Sequence, residues 1–256
     1  MPGLIRGFLN LFLNFVTYHL FISIMASELP YRQSEILSAL NQKAQVKLEV
    51  FTQTIEVFGQ IKEILNEMSN DLNDLIESDD RRVRLEYRDR GRFEAELKFA
   101  DDVLIFSMHS DVFLFDRDHS LWKKDLVKND TMSAYCGVIS VYNFLSDSLK
   151  FNRQEDLGYL VARIFVNRNK YFLVEGKRQK GRAVSSFGKK QLNREELISI
   201  IETAILYTLS FDLLVPPFDM VKMASVEQIN GKIESAKLQT GKRVGYKYNT
   251  DDILSD

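Results

Sequence analysis

Three groups of residues in this 256-residue chain could carry chemistry by type and spacing. His109, Asp111, Asp116, Asp118 and His119 fall within eleven residues. Imidazole nitrogens and carboxylate oxygens together are a donor set for a divalent metal. Strand alternation would scatter these five over two faces, so they read as turn residues and no metal site is assigned to them. Cys136 is the single cysteine. It has no histidine near it in sequence and no zinc-type spacing, so it reads as a small buried core residue. The third group is a basic run: Arg163, Arg168, Lys170, Lys177, Arg178, Lys180, Arg182, Lys189 and Lys190, with Glu175 as the one acid among them. Nine cations against one carboxylate leave a local excess of eight, and Tyr171 and Phe172 are interleaved. Cations beside aromatics suit phosphate contacts with base stacking, so Arg168, Lys170, Tyr171, Lys177, Arg178 and Lys180 form a candidate patch for an anionic partner. That partner could be nucleic acid, an acidic lipid surface, or the acidic end of a helix in another copy. The competing reading is an edge strand that carries lysine and arginine to prevent unwanted pairing.

Within that run, Glu175-Gly176-Lys177 follows a strand pattern, with Asp156 upstream. The arrangement superficially resembles the acid/E-x-K core of restriction-type nucleases. The resemblance implies that Asp156 and Glu175 would hold Mg²⁺ and Lys177 would stabilise charge on the attacking water or the phosphate. That core needs a mixed sheet with a flanking helix, whereas the strands here read as a tight hairpin. Gly176-Lys177 and Gly241-Lys242 are not phosphate loops, because positions 171 and 236 are Tyr and Ala and an arginine follows each lysine. The chain has no G-x-S-x-G, no G-x-G-x-x-G and no zinc spacing, so it implies no cofactor.

The elements that must position these residues begin with one long stretch. Leu37, Leu40, Ala44, Leu48, Phe51, Ile55, Phe58, Ile61, Leu65, Met68, Leu72 and Leu75 make eleven steps over 38 residues, about 3.45 per step. That spacing keeps an apolar seam on one side of a supercoiled helix. Ile36, Val46, Val50, Val57, Ile64 and Ile76 lie off the seam and widen the stripe. The helix therefore packs on its own domain, pairs with a second copy, or does both at different ends. The steps at Ala44–Leu48 and Phe58–Ile61 disturb the seam's register.

From Val83 the apolar period changes to two. Phe93, Ala95, Leu97 and Phe99 alternate with Glu94, Glu96 and Lys98, as in a half-buried strand. Runs at 103–108, 112–116, 135–145, 159–166 and 171–175 follow, with a four-residue hairpin loop at Asn167-Arg168-Asn169-Lys170. Connections this short force antiparallel pairing. Asn193 with Glu196 reads as a capping box opening a helix that is apolar nearly all round, and so deeply buried. Ser225 with Gln228 resembles a second capping box for a shorter helix. Val244–Tyr248 reads as an edge strand.

Composition bounds the rest. The chain is 45% hydrophobic and 27% charged with a net charge of −2, so as a whole it is not a polyelectrolyte. One cysteine excludes an intramolecular disulfide framework. Phe8–Met25 is apolar and without formal charge, with Arg6 before it. It reads as a secretory signal, as a membrane anchor, or as sequence upstream of a true start at Met25. The third reading is preferred and gives a cytoplasmic protein; the anchor reading gives an inner-membrane one held through residues 8–25.

The expected organisation is an apolar leader (1–25), a long helix and possible coiled coil (26–80), and an α+β domain (81–256). Its sheet should span about 83–178 and its helices about 193–237. The fold class is α+β: a long N-terminal helix, a central antiparallel meander of about six strands, and C-terminal helices packed on the sheet. The preferred function is a non-enzymatic interaction protein. It would form a homo-oligomer through Leu37–Leu75 and hold an anionic partner at the basic hairpin. The alternative is the metal-dependent nuclease.

Overall fold

Helical backbone runs from Tyr31 to Leu75 in three pieces: α1 (Tyr31–Ala39), a π turn (Leu40–Ala44) and α2 (Gln45–Leu75). The computed structural model describes residues 31–210 apart from 79 and 155, together with 223 and 226. The leader, the second capping box and the 244–248 strand lie outside the described residues. Among the described residues no helix is long and apolar enough to cross a membrane.

The chain divides into two compact units between Glu49 and Val50, inside α2. The break expected at residues 80/81 does not coincide with this division, because the helix from Val50 onward is part of the sheet's own core. In that stretch Val50 and Ile61 are fully buried, with Thr54, Val57, Phe58, Ile64 and Leu65 buried beside them. Val50, Val57 and Ile64 were off the 3.5-residue seam. Seam residues Phe51 and Ile55 are only half-buried, and Leu72 and Leu75 are exposed. A helix lying on a sheet follows its own 3.6-residue period, and a sheet accepts a wider stripe than a partner helix does.

The strands are β1 (Glu86–Asp89), β2 (Glu94–Phe99), β3 (Asp102–Met108), β4 (Phe113–Leu114), β5 (Tyr135–Leu145), β6 (Tyr159–Val166) and β7 (Phe172–Gly176). They form one seven-stranded antiparallel sheet in the order β1-β2-β3-β5-β6-β7, with β4 paired to β5. This is the expected meander, with the 112–116 run reduced to the two-residue β4 and one short strand, β1, added at the edge. β3 pairs with Ile139–Leu145 and β4 with Tyr135–Cys136, and the His109 N–H still donates to the Val138 carbonyl, so β4 resumes the β3 track after residues 110–112 leave it. The stretch 135–145 is strand throughout; among the short helices, α3 (Asp125–Asn129) precedes it and α4 (Ser146–Lys150) follows it.

A last helix, α5 (Arg194–Leu209), is capped by Asn193, whose side chain accepts from the Glu196 N–H at 2.9 Å. The reciprocal half of the capping box is absent, because the Glu196 carboxylate binds Arg182 at 3.0 Å and Lys190 instead. Leu197, Ile200, Ile201, Ala204 and Ile205 of α5 are buried, whereas Leu206 and Leu209 are exposed. The helix thus rests by one face on the sheet and is not deeply buried all round.

Both α2 and α5 cover the same sheet face. Ala95, Leu97, Leu104, Phe106, Ile139, Val141, Ile164 and Val174 meet them there in one apolar core. Closest approach falls at Gly137 of β5. A Cβ there would lie 2.0 Å from the Thr54 Oγ1 of α2, so the absent side chain is what lets the helix seat on the strand. Part of the second face is covered by a smaller core, in which Leu121, Val127, Cys136, Val138, Phe165 and Phe187 pack together. Cys136 is fully buried there, and burial pushes its thiol pKa far up, so it is inert as a nucleophile.

Candidate functional site

Strand register brings together residues that are far apart in sequence. Ser107 pairs with Ser140, Ser140 with Arg163, and Arg163 with Glu175. The four make a polar row across β3, β5, β6 and β7 on the second face. A register shift between Val141 and Tyr142 then sets Leu160 opposite Tyr142, so the strand's phase changes beside the row. Where the smaller core stops, this face opens into a recess of about 720 Å³. The polar row is its floor. Its wall comes from the 109–119 segment, which contributes His109, Phe113, Phe115, Asp116 and His119.

Several lining groups are held by more than one contact. The Arg163 guanidinium donates from Nε to Glu175 Oε2 at 3.0 Å and lies 4.9 Å from the centre of the Phe165 ring. His109 Nδ1 accepts from the Asp111 N–H at 3.0 Å while its ring meets Phe113 edge-on at 4.6 Å. His119 Nδ1 accepts from the Leu121 N–H at 3.3 Å while its ring stacks on Phe115 at 4.5 Å. With Nδ1 accepting, each neutral ring carries its proton on Nε2 and is a donor there. His109, Asp116 and His119, expected as scattered turn residues, therefore share one wall. Among the described residues no group of three or more metal-ligating side chains is assembled.

The residues assigned to an anionic partner meet acids from other elements. Lys170 pairs with Glu56 of α2 at 2.7 Å, and Arg168 with Asp130 at 2.9 Å. Hydrogen bonds from Lys170 and then Gln53 hold the Glu56 carboxyl below its usual range. Burial opposes the same shift at Asp130, but hydrogen bonds from Ser133 and Arg168 outweigh it and leave that pKa lowered. Arg182 and Lys190 share Glu196, whose pKa is lowered first by Lys190. Arg178 sits over the Tyr207 ring at 5.6 Å, and the backbone of Tyr171 bridges to Gln191. Lys177, Lys180 and Lys189 are exposed, with no carboxylate partner among the described residues. Glu56, Asp130 and Glu196, three acids the sequence run does not contain, thus meet three charges of the local excess of eight.

The nuclease-like trio is dispersed. Glu175 is held by Arg163. Asp156 accepts from the Ser148 hydroxyl of α4 at 2.6 Å, beyond the far end of β5. Ser140 faces Arg163 and Leu145 ends β5, so five residues at about 3.3 Å each, roughly 16 Å, separate the two anchor points along the strand. Lys177 follows β7, and its backbone N–H donates to Val161. The structure does not bring Asp156 and Glu175 together as a metal-bridging pair.

In the N-terminal unit, Ile36, Leu40 and Leu48 are 57–59% exposed. They span the π turn, and Ala44 lies between them. Twelve α-helical residues make three and one-third turns, so steps of four would drift by about 120°. The extra residue of a π turn takes back about 100° of that. Ile36, Leu40, Ala44 and Leu48 consequently stay on nearly one side, and the irregular step at Ala44–Leu48 has its physical origin in the π turn.

Comparisons with protein-family models, with curated proteins and with solved structures find no match to this chain. The fold and the site define its class on their own: an α+β protein with an antiparallel sheet and an open recess on one sheet face.

Proposed function

We propose that this chain is a non-enzymatic interaction protein that pairs with a second copy through Ile36–Leu48. The carrying observation is the exposed stripe of Ile36, Leu40 and Leu48. The wider expectation, a seam used along all of Leu37–Leu75, narrows to this end because the stretch around Val50–Met68 packs into the chain's own core. A second copy is the occupant that fits, since knobs at this spacing are complementary to the same stripe on an identical helix. Pairing would remove three large apolar side chains per chain from water, each worth roughly 1.5–3 kcal/mol when fully buried.

The test is the mass in solution of the full chain carrying Leu40→Ser and Leu48→Ser, measured by light scattering after size exclusion. The parent is expected at twice the chain mass and the double variant at once, with equal thermal melts. A control, Ile61→Ala in the core, is expected to lower stability by about 2–5 kcal/mol and leave the mass unchanged at temperatures where it stays folded. A parent that is monomeric at every concentration, or a double variant that keeps its mass, refutes the proposal.

The anionic-partner reading is supported by one observation, the exposure of Lys177, Lys180 and Lys189 without carboxylate partners among the described residues. It is now a smaller surface than the sequence run suggested, and it would act as an added surface of the same assembly.

A further inference from the structure

We infer that the recess on the second sheet face binds an uncharged heteroaromatic molecule of nucleoside size. This goes beyond self-association and does not depend on it. Size is the first argument: about 720 Å³ falls within the roughly 300–1,000 Å³ typical of small-molecule sites.

Charge is the second argument. The charged lining groups are Arg163, Glu175 and Asp116. Arg163 and Glu175 neutralise each other, which leaves one carboxylate. A phosphate would face two carboxylates with the one cation already engaged. An ammonium group would face the guanidinium. A neutral molecule meets neither penalty.

Shape and hydrogen bonding select the class. Phe113, Phe115 and Phe165 present aromatic surface, and Phe115 and Phe165 are themselves in contact at 4.9 Å with their planes tilted by 49°. Flat rings gain most against such walls, because every nucleobase has a stacking face. The floor offers both hydrogen-bond polarities side by side. Arg163 retains N–H donors beyond those given to Glu175. Glu175 Oε1 has no protein partner among the described residues. A heterocycle edge carrying a donor next to an acceptor matches that doublet. The hydroxyls of Ser107, Ser140 and Tyr142 on the same floor are partners for sugar hydroxyls, and His109 and His119 add Nε2 donors from the wall. Arg163, His109 and His119 are each fixed by a hydrogen bond and a ring contact. Little side-chain freedom remains to be lost when a ligand arrives.

The experiment is a calorimetric titration of the full chain with adenosine, guanosine, cytidine and uridine, each also as its 5′-monophosphate. At least one nucleoside is expected to saturate below about 1 mM, with its monophosphate binding more weakly. Phe113→Ala removes an exposed wall residue and is expected to weaken binding about tenfold, the effect of losing one stacking face. Ser140→Leu fills the floor and is expected to abolish binding; where it fails to fold, Phe113→Ala carries the test alone. Three results overturn the inference: no nucleoside saturates, the monophosphate binds more tightly than its nucleoside, or Phe113→Ala binds as the parent does.

Discussion

Replacing Gly137 by alanine tests the packing that seats α2 on the sheet. The added Cβ would lie 2.0 Å from Thr54 Oγ1 and 2.7 Å from both Thr54 Cβ and Cγ2, where ordinary contact begins near 3.4 Å. Something must therefore shift by about 1.4 Å, the difference between those two values. Thr54 has no exit. It is fully buried, and its hydroxyl donates to the Val50 carbonyl at 2.6 Å. Turning the side chain breaks that bond inside the core, and moving the backbone lifts α2 off β5 together with its neighbours Val50, Val57 and Phe58. Overpacking of this kind costs about 1–3 kcal/mol, and loss of the buried hydrogen bond adds about 1 kcal/mol. A total of about 2–4 kcal/mol corresponds to a fall in Tm of roughly 4–16 °C for a domain of this size. Circular dichroism melts of Gly137→Ala, Thr54→Ala and the double variant would measure it. Thr54→Ala removes the Oγ1 and Cγ2 clashes and leaves the Cβ one, so the double variant is expected to recover part of the loss. A Gly137→Ala protein melting within a degree of the parent, or a double variant whose losses simply add, refutes the account.

Two further outcomes concern a half-buried carboxylate and a helix cap. Burial raises the pKa of Asp102, opposed by its hydrogen bond from Asn143 and reinforced by the nearby Asp101 charge. A carboxyl whose folded pKa is raised loses stability as pH climbs through that value. Asp102→Asn should therefore stabilise the protein at neutral pH, with an advantage that vanishes below the ordinary carboxylate range. Denaturant melts at several pH values would show it, and an Asp102→Asn protein less stable at neutral pH contradicts it. Asn193→Ala deletes the cap on the Glu196 N–H and is expected to cost about 0.5–2 kcal/mol, read as a lower melting midpoint with unchanged helix content.

Local patterns were legible in the residues themselves. Period-two alternation at Phe93–Phe99, the short hairpin loop at 167–170 and the Asn193 cap each depend on neighbours a few positions away, so one chain segment suffices to specify them. The fold class followed, because short connections between strands leave antiparallel pairing as the available geometry. Cys136 was likewise readable as a core residue from its lack of any chemical partner.

What the sequence could not decide was which apolar stripe of the long helix would be covered, and by what. The 3.5-residue seam and the 3.6-residue stripe differ by a fraction of a turn over this length. Only contact with a broad sheet selects Val50, Val57 and Ile64 over Leu48 and Leu72. Charge balance was beyond the sequence for a related reason. The run from Arg163 to Lys190 is basic along the chain, yet its counterions Glu56, Asp130 and Glu196 arrive from α2, the 115–134 insertion and α5. The recess is the clearest case. Ser107, Ser140, Arg163 and Glu175 are spread over 69 positions, the difference between 107 and 175 counted inclusively. No local period marks them as a group, and small polar residues at alternating positions inside otherwise apolar strands were the one signal available. Antiparallel register aligns them, and the departure of residues 110–112 from the β3 track leaves the floor they form open to solvent.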